Sequence, residues 1–236
     1  MISFIIPAHN EELLIGRTIG RLRASADLDL KEPYEIIVVD DSSTDRTAMI
    51  AEASGARVFS VQFQQIAAAR NAGASLAQGD VLVFVDADTS VPRTVVVAAV
   101  QAMRSGAVGG GARAEFEGSI PIYGRVLAWL WRWVIQRFGH FASGCFLFCT
   151  RQAFEAAGRF DESLYAAEDV ALSRHLRPLG RFVILRESVI TSGRNMRSHS
   201  ASEILRLVAG FVLHGPAFFK TRRGPWYGRR PDDQSR

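Results

Sequence analysis

The sequence predicts an α/β fold with a mostly parallel central sheet and helices on both of its faces. Three observations lead to this prediction. Short runs rich in Val and Ile alternate with helix-like stretches through the first hundred residues. These runs are apolar throughout, as expected of parallel strands covered on both faces. Polar residues follow the ends of three of the runs, and open parallel sheets bind their ligands at that edge.

The first half of the chain is predicted to contain four strands, each followed by a helix. Pro7 ends the first strand, and Asn10 caps a helix that begins at Glu11 and Glu12, whose charges suit a helix N-terminus. The remaining predicted elements are strands at 35–39, 56–61 and 80–88 and helices ending near 52 and covering 64–78 and 92–104.

The second half shows a less regular alternation, within a chain whose length suits one domain. The predicted elements are an extended, glycine-rich segment over 106–118, helices over 120–138, 151–160, 166–180 and 202–213, and strands over 144–150, 181–185 and 188–191.

Composition excludes several classes of protein. Hydrophobic residues make up 48% and charged residues 22% of the chain, which is ordinary for a globular domain. Two cysteines, Cys145 and Cys149, argue against a disulfide scaffold, and their spacing lacks the second Cys/His pair of a zinc site. No basic region precedes the first apolar run, and no charge-free apolar stretch approaches the about 20 residues that span a bilayer. We therefore expect a cytoplasmic protein.

Basic charge is concentrated at the end of the chain. Residues 194–236 hold nine basic and three acidic residues, whereas the rest of the chain holds 19 and 21. The predicted helix over 120–138 carries Trp129, Trp131 and Trp133 beside arginines and has no acidic residue. Two interpretations stay open. These segments contact an anionic membrane surface, or they are a solvated basic end and a helix that packs on the domain. No nucleic acid partner is expected.

Two aspartates, Asp86 and Asp88, follow the apolar run of the fourth predicted strand. Residues i and i+2 of an extended segment point the same way, so both carboxylates can face one ligand. Unpaired buried carboxylates are costly, so something must hold these charges. A hard divalent cation suits such oxygen ligands, with water and phosphate oxygens completing its coordination. The alternative is an ordinary aspartate-rich turn.

Other signatures of phosphate chemistry are absent from the sequence. There is no G-x-x-x-x-G-K-[ST] of a P-loop ATPase and no G-x-G-x-x-G after the first strand, as a dinucleotide enzyme requires. Neither H-E-x-x-H nor G-x-S-x-G occurs. Metal–diphosphate chemistry without a P-loop is the class that remains.

Five segments of the chain resemble family 2 glycosyltransferases and occur in the order found in that family. They are SFIIPAHNEE, IIVVDDSSTDRT, ARNAGASLAQGDVLVFVDADTSVP, GCFLFCTRQAFEAAGRFDE and YAAEDVALSRHLR. The resemblance covers about residues 1–194. It implies the GT-A fold, an inverting reaction, a nucleotide-diphosphate sugar donor and a Mn²⁺ or Mg²⁺ ion. It also implies a nucleotide-binding half over 1–105 and an acceptor-binding half over 106–194. The charge distribution and the amphipathic pattern predict a basic helix and tail over 195–236.

The resemblance assigns roles to individual residues. Those it places at the nucleotide sugar are Pro7, Ala8, His9, Glu11, Asp41, Asp86, Ala87, Arg113 and Arg194. Within this set, Asp41 would read the edge of the nucleobase, and Asp86 would contact the ribose or the diphosphate. Arg113 would lie near the diphosphate, which Arg194 would reach from a closing loop. Asp88 matches the metal ligand. His9 stands where the family often has tyrosine.

The resemblance also matches Asp169, in AAEDVALSR, to the catalytic base. In an inverting transfer this base deprotonates the acceptor hydroxyl on the face opposite the leaving diphosphate. Glu168 is a second candidate, and simple charge compensation at a helix N-terminus is the structural alternative for both residues. Arg70 is interpreted as a cation on a helix surface, with a nucleotide contact as its alternative.

These observations predict a metal-dependent inverting glycosyltransferase. Its acceptor would be a sugar, a lipid-linked glycan precursor of the cell envelope or a small molecule. The protein would be associated with the inner face of the membrane if its basic segments bind lipid. Two alternatives stay open: a nucleotide-sugar-binding partner subunit without turnover, and a sugar nucleotidyltransferase. The latter usually has a glycine-rich, basic signature after its first strand, where this chain is acidic.

Overall fold

The computed structural model describes residues 1–30, 32–117, 141–142, 144–192 and 194, together with 206, 209–211, 213 and 215–220. Its strands are β1 (Ile2–Ala8), β2 (Tyr34–Asp41), β3 (Arg57–Val61), β4 (Val81–Val85), β5 (Thr89–Ser90), β6 (Ala107–Glu117), β7 (Phe146–Thr150) and β8 (Arg181–Ser192). Its α-helices are α1 (Ile15–Asp29), α2 (Thr47–Ala53), α3 (Ile66–Leu76), α4 (Arg93–Arg104), α5 (Arg151–Ala156) and α6 (Glu168–Leu176), with 3₁₀ turns at Arg177–Leu179 and Gly215–Phe219.

The strands form one sheet in the order β3-β2-β1-β4-β7-β6-β8-β5. β1 lies between β2 and β4 and is parallel to both, and β3 is parallel to β2 at the sheet edge. β7 runs antiparallel to β4 and β6, whereas β6 and β8 are parallel to each other. The predicted α/β fold with a mostly parallel sheet is confirmed. Because β1, β2 and β4 are adjacent and parallel, their carboxyl ends meet at one edge.

The central strand β1 is buried on both faces, which explains its continuous apolar sequence. Phe4 and Ile6 pack against α1 and α4 on one face, and Ile5 packs against α3 and α5 on the other. A Cβ added at Gly73 of α3 would lie only 2.4 Å from Cγ2 of Ile5. The small residues of α3 therefore let this helix lie close against the sheet, over the strand ends.

Two strand predictions are corrected by the pairing of the sheet. β1 continues through Pro7 to Ala8, because at Pro7 it pairs with β2 alone, its pairing with β4 having ended at Ile5. Because β1 pairs with no described strand on its other side at this position, the missing N–H of Pro7 breaks no hydrogen bond of the sheet. The two strands predicted over 181–185 and 188–191 form the single strand β8. A register shift against β6 accommodates the polar residues between them.

The first helix begins later than predicted. α1 starts at Ile15, and the backbone carbonyl of Glu11 accepts the N–H groups of Leu14 and Ile15. Asn10 does not cap this helix. It has a positive φ of 52°, and its side-chain oxygen accepts the N–H of Thr44, 2.8 Å away in the loop after β2. Asn10 therefore joins the loops that follow β1 and β2.

Several predicted features lie outside the described residues. They include the helix over 120–138 with its three tryptophans, most of the helix over 202–213, and the tail over 221–236. Within the described parts of the chain, no helix is both long enough and apolar enough to cross a membrane. Cys145 and Cys149 are both buried and form no disulfide, as expected from the sequence.

Candidate active site

The polar clusters that follow β1, β2 and β4 lie at the shared carboxyl edge of these strands. They are joined there by the N-terminus of α6 and by the residue that follows β8. The resulting cluster contains five carboxylates and two arginines: Glu11, Asp86, Asp88, Glu168, Asp169, Arg70 and Arg194. If all seven are ionised, five negative and two positive charges give a formal charge of −3. Such an excess attracts a cation.

Arg70 of α3 is the most buried charged group of this cluster, with 1% of its surface exposed. Nη1 donates to Oε1 of Glu168 at 2.5 Å, and Nη2 donates to Oδ1 of Asp86 at 2.7 Å and to the carbonyl of Gly144 at 2.8 Å. The guanidinium lies 5.3 Å from the centre of the Phe160 ring. The interpretation of Arg70 as a surface cation is wrong, because this face of α3 is covered by α6 and by the segment before β7.

The second arginine, Arg194, follows the end of β8. Its Nη2 donates to Oε2 of Glu11 at 2.6 Å and lies 3.7 Å from Oδ2 of Asp88. The hydroxyl of Thr191 donates to Oδ1 of Asp88 at 3.3 Å. The C-terminal end of β8 therefore brings Arg194 to the carboxylates predicted for metal and nucleotide binding.

Asp169 lies in the first turn of α6, beside Glu168. Burial and the neighbouring charge of Glu168 raise the pKa of Asp169 to about 7, although the Arg70 guanidinium lowers it. A Cβ added at Gly144 would come within 3.1 Å of Oδ2 of Asp169, so this carboxylate lies directly against the Gly144 backbone. The result is a carboxylate that exchanges its proton near neutral pH, as a general base requires.

The pKa of Asp86 is also raised, mainly by burial and partly by the charges of Glu168 and Glu11. Arg70 opposes this increase through its ion pair with Asp86. Between Asp86 and Asp88 the chain is fixed by Ala87, which is buried and whose carbonyl accepts the hydroxyl of Thr18 at 2.8 Å.

His9 is fixed at the end of β1 by the neighbouring strand. Its Nδ1 lies 2.7 Å from the backbone carbonyl of Asp41. A carbonyl only accepts, so Nδ1 carries the proton and donates it, and Nε2 accepts from Asn10 at 3.3 Å. Pro7 and Ala8 lie in β1 immediately before this ring, opposite β2.

The two aspartates at the end of β2 have different surroundings. The carboxylate of Asp41 accepts three backbone N–H groups, from Phe63, Gln64 and Gln65, at 2.7 to 3.0 Å. These bonds hold the loop between β3 and α3. Asp40 is buried as well, but its Oδ1 accepts no hydrogen bond among the described residues. The sequence prediction gave a role to Asp41 and none to Asp40, although both carboxylates follow the same strand.

Arg113 is placed away from these contacts. It lies in β6 opposite Ser188 of β8, with an exposed side chain. Among the described residues, no hydrogen bond or ion pair joins it to the carboxylates. Its role near a diphosphate stays a prediction.

Comparison with known proteins identifies the family of the chain. The family model described as "Glycosyl transferase family 2" matches residues 3–161, more than half of the chain. The chain belongs to glycosyl transferase family 2. Among curated relatives, the undecaprenyl-phosphate 4-deoxy-4-formamido-L-arabinose transferase of Pseudomonas aeruginosa is 32% identical over 127 residues. This match covers 50% of the chain and 37% of the relative.

Solved structures support the fold. The family 2 chain matches S. aureus TarS in complex with UDP-GlcNAc with a TM-score of 0.63 and 21% identity, over 90% of this chain and 66% of that one. It matches the mannosyltransferase PcManGT from Pyrobaculum calidifontis, in complex with GDP-Man and Mn²⁺, with a TM-score of 0.64 and 18% identity, over 96% and 68%. These likenesses show the GT-A fold. Matches to curated relatives cover only 20% to 37% of each relative's own length.

Proposed function

We propose that this protein is an inverting glycosyltransferase that moves a sugar from a nucleotide-diphosphate sugar to an acceptor hydroxyl. One observation carries the proposal. The buried guanidinium of Arg70 bonds both to Asp86 of the D-x-D pair and to the N-terminus of α6, which holds Asp169. This contact supports a proposed donor site beside a proposed base, Asp169, whose pKa is raised to about 7. A binding-only partner subunit would need no such base.

In the proposed complex the nucleotide lies over the ends of β1 and β2. The crystallised neighbours named above contain UDP-GlcNAc and GDP-Man, which supports a nucleoside diphosphate sugar as donor. We assign the nucleobase edge to Asp40 rather than Asp41. The carboxylate of Asp41 is already occupied by three backbone N–H groups, whereas Oδ1 of Asp40 accepts none among the described residues. A buried acceptor without a donor is costly unless a ligand supplies one.

The residues present fit a divalent cation. Asp88 and its neighbours offer hard oxygen donors, and the cluster carries the excess negative charge described above. No group of three His, Cys, Asp or Glu side chains in the described ranges forms a protein-only metal site, so phosphate oxygens of the donor and water would complete the coordination. We propose Asp88 as ligand of Mn²⁺ or Mg²⁺. When bound, the cation neutralises charge that develops on the leaving diphosphate.

The chain's own residues would perform the remaining tasks. Asp169 accepts the proton of the acceptor hydroxyl as that oxygen attacks the anomeric carbon, and the bond to the diphosphate breaks on the opposite face. Arg194 is held between Glu11 and Asp88, beside the carboxylate proposed to hold the metal. We propose that it contacts the departing phosphate.

A lipid-linked or other cell-envelope acceptor is the class we propose. The curated relative from P. aeruginosa is named as a transferase acting with undecaprenyl-phosphate. The basic charge over 194–236 would suit a surface of anionic lipid. Contact with the inner face of the membrane is part of this proposal.

A thermal-shift panel tests the proposed function first. UDP, GDP, dTDP and CDP are each added with Mn²⁺ or with EDTA. A bound ligand at a hundredfold excess over its Kd stabilises the folded state by about 2.7 kcal/mol, which raises the melting temperature by a few degrees. We expect one nucleotide to raise it only with Mn²⁺, and the matching nucleotide sugar to be slowly hydrolysed. No shift with any nucleotide would contradict the proposal.

A further inference from the structure

We propose that Arg70 is the positioning residue of the active site, and that Glu168 is its partner rather than a second base. By this inference the Arg70 guanidinium fixes the N-terminus of α6, and with it Asp169, against the segment that follows β4. The inference rests on the proposed function, because it assigns a task within the same site.

The contacts of Arg70 join three distant parts of the chain. Asp86 is 16 residues away, Gly144 is 74 residues away and Glu168 is 98 residues away. Each lies on a different element: the exit of β4, the approach to β7, and the first turn of α6. A planar guanidinium holds these three acceptors in fixed directions, which the single ammonium of lysine does not do.

The burial of Arg70 and Glu168 fits a positioning role and not a contact with a ligand. Only 2% of the Arg70 side chain and 7% of the Glu168 side chain are exposed, and the Arg70 guanidinium is stacked over Phe160. Neither Nη1 nor Nη2 is directed to solvent, because both are bonded to protein acceptors. Arg70 is therefore too enclosed to bind a nucleotide, and Glu168 is too enclosed to reach an acceptor hydroxyl.

The position of Asp169 depends on the same contacts. The carbonyl of Gly144 accepts from Arg70, and Oδ2 of Asp169 lies 3.1 Å from where a Gly144 Cβ would be. Arg70 thus holds both the helix that carries the base and the backbone on which the base rests. Its pairing with Glu168 also leaves the Asp169 carboxylate available, since the guanidinium is directed at the adjacent residue.

The experiment compares Arg70→Lys with Arg151→Lys. Arg151 is a matched control because its guanidinium donates to three backbone carbonyls, of Ala74, Ala77 and Gly79, in the last turn of α3 and in the loop that follows it. For each protein we measure the Kd of UDP with Mn²⁺, the melting temperature, and the maximal hydrolysis rate of UDP-glucose, UDP-GlcNAc and GDP-mannose.

Arg70→Lys should leave the Kd of UDP within about threefold of wild type. Its maximal hydrolysis rate should fall about a hundredfold, as expected when a reacting group is misplaced by about 1 Å. Arg151→Lys should keep the wild-type hydrolysis rate even if its melting temperature falls as much as that of Arg70→Lys. A tenfold weaker Kd with an unchanged rate would instead make Arg70 a nucleotide contact, and equal rate losses in both variants would make its role merely structural.

A second variant moves the base without changing any charge. Gly144→Ala adds a methyl group 3.1 Å from Oδ2 of Asp169, so that carboxylate must shift by a few tenths of an ångström. It should lower the hydrolysis rate while keeping UDP binding. Wild-type activity after this change would contradict the claim that the position of Asp169 is critical.

A third measurement needs no turnover and decides the case even if the wild type binds no nucleotide. Carboxyl groups are labelled with a carbodiimide and glycinamide and located by peptide mass spectrometry. Arg70→Lys should increase labelling of Glu168 and Asp169 several-fold, and Arg151→Lys should not. Unchanged labelling would overturn the positioning role, whereas a wild type that neither binds nor hydrolyses nucleotides would overturn the proposed function alone.

Discussion

Replacing the proposed base should stabilise the protein at neutral pH. The pKa of Asp169 is raised from 3.8 to about 7, first by burial and then by the charge of Glu168. One pKa unit corresponds to about 1.4 kcal/mol, so ionising this carboxylate in the folded protein costs about 4 kcal/mol. Asn has nearly the same shape and does not ionise. The variant Asp169→Asn therefore lacks this cost.

The gain in stability should depend on pH in a definite direction. Because the folded-state pKa is raised, the folded protein binds the Asp169 proton more tightly than the unfolded chain does between pH 3.8 and about 7. The stabilisation that wild type gains from the protonated Asp169 is therefore present in full below pH 3.8 and is lost as the pH rises through 7. Asp169→Asn should be more stable than wild type by about 2 kcal/mol at pH 5 and about 4 kcal/mol at pH 8.

Urea unfolding of both proteins between pH 5 and pH 8, in EDTA, measures this difference. Asp161→Asn is the control with the opposite sign. The backbone N–H and hydroxyl of Ser163 hold the pKa of Asp161 below its ordinary value, so this variant should be less stable than wild type at pH 8. If Asp169→Asn is no more stable than wild type at pH 8, or if its gain is constant across the range, the Asp169 carboxylate is not destabilised by its surroundings.

The same Asp169→Asn protein should keep nucleotide binding and lose hydrolysis of the donor. A stabilising substitution that abolishes turnover separates a catalytic role from a structural one, because a structural carboxylate would lower stability when removed. Near wild-type turnover would show that Asp169 is not the base.

Four further outcomes are expected. Asp88→Ala should remove the Mn²⁺-dependent part of the thermal shift with UDP, and a shift of wild-type size would exclude Asp88 as metal ligand. Asp41→Asn should destabilise the protein by about 1 to 3 kcal/mol in urea unfolding because charge-assisted bonds to the β3–α3 loop weaken. Asp40→Asn should instead weaken UDP binding about tenfold in calorimetry. If Asp41→Asn weakens UDP binding and Asp40→Asn lowers only the stability, Asp41 is the nucleobase contact. Gly73→Ala should cost about 1 to 3 kcal/mol in the same unfolding assay, since its Cβ would lie 2.4 Å from Ile5; unchanged stability would contradict the close packing of α3.

Most of the sheet could be predicted because a parallel strand buried on both faces needs a continuous apolar run. β1, β2, β4 and β7 all have one, and each was located within a few residues. β5 could not be predicted. It has only two residues, Thr89 and Ser90, and exists because β8 pairs with them from a hundred residues away. Two residues carry no periodicity, so this strand depends on tertiary structure alone.

The acidic part of the site could be predicted for the same reason, since carboxylates that directly follow buried strands must lie at the sheet edge. The choice of Asp41 rather than Asp40 as the residue that binds the loop before α3 could not be predicted. Successive residues of a strand face opposite sides, and nothing local tells which side meets this loop. The three N–H groups that bind Asp41 belong to a loop more than 20 residues later in the chain.

The burial of Arg70 did have a signal in the sequence. The helix α3, IAAARNAGASL, is small or apolar almost all round, and Arg70 is its single charged residue. A helix without a charged face is a buried helix, so its one arginine is buried with it. The sequence does not reveal the partners of this arginine, because no local pattern points to a glutamate 98 residues away.

Each arginine of the site forms one ion pair over a long stretch of chain. Arg70 reaches Glu168, and Arg194 reaches Glu11 across 183 residues. Without these guanidiniums the carboxylates of the cluster would repel one another whenever they are ionised. The site is thus held in its geometry only once β8 and α6 have reached the edge formed by β1 and β4. Charge compensation at the edge formed by the first half of the chain therefore depends on elements of the second half, and a bound divalent cation would offset the remaining negative charge.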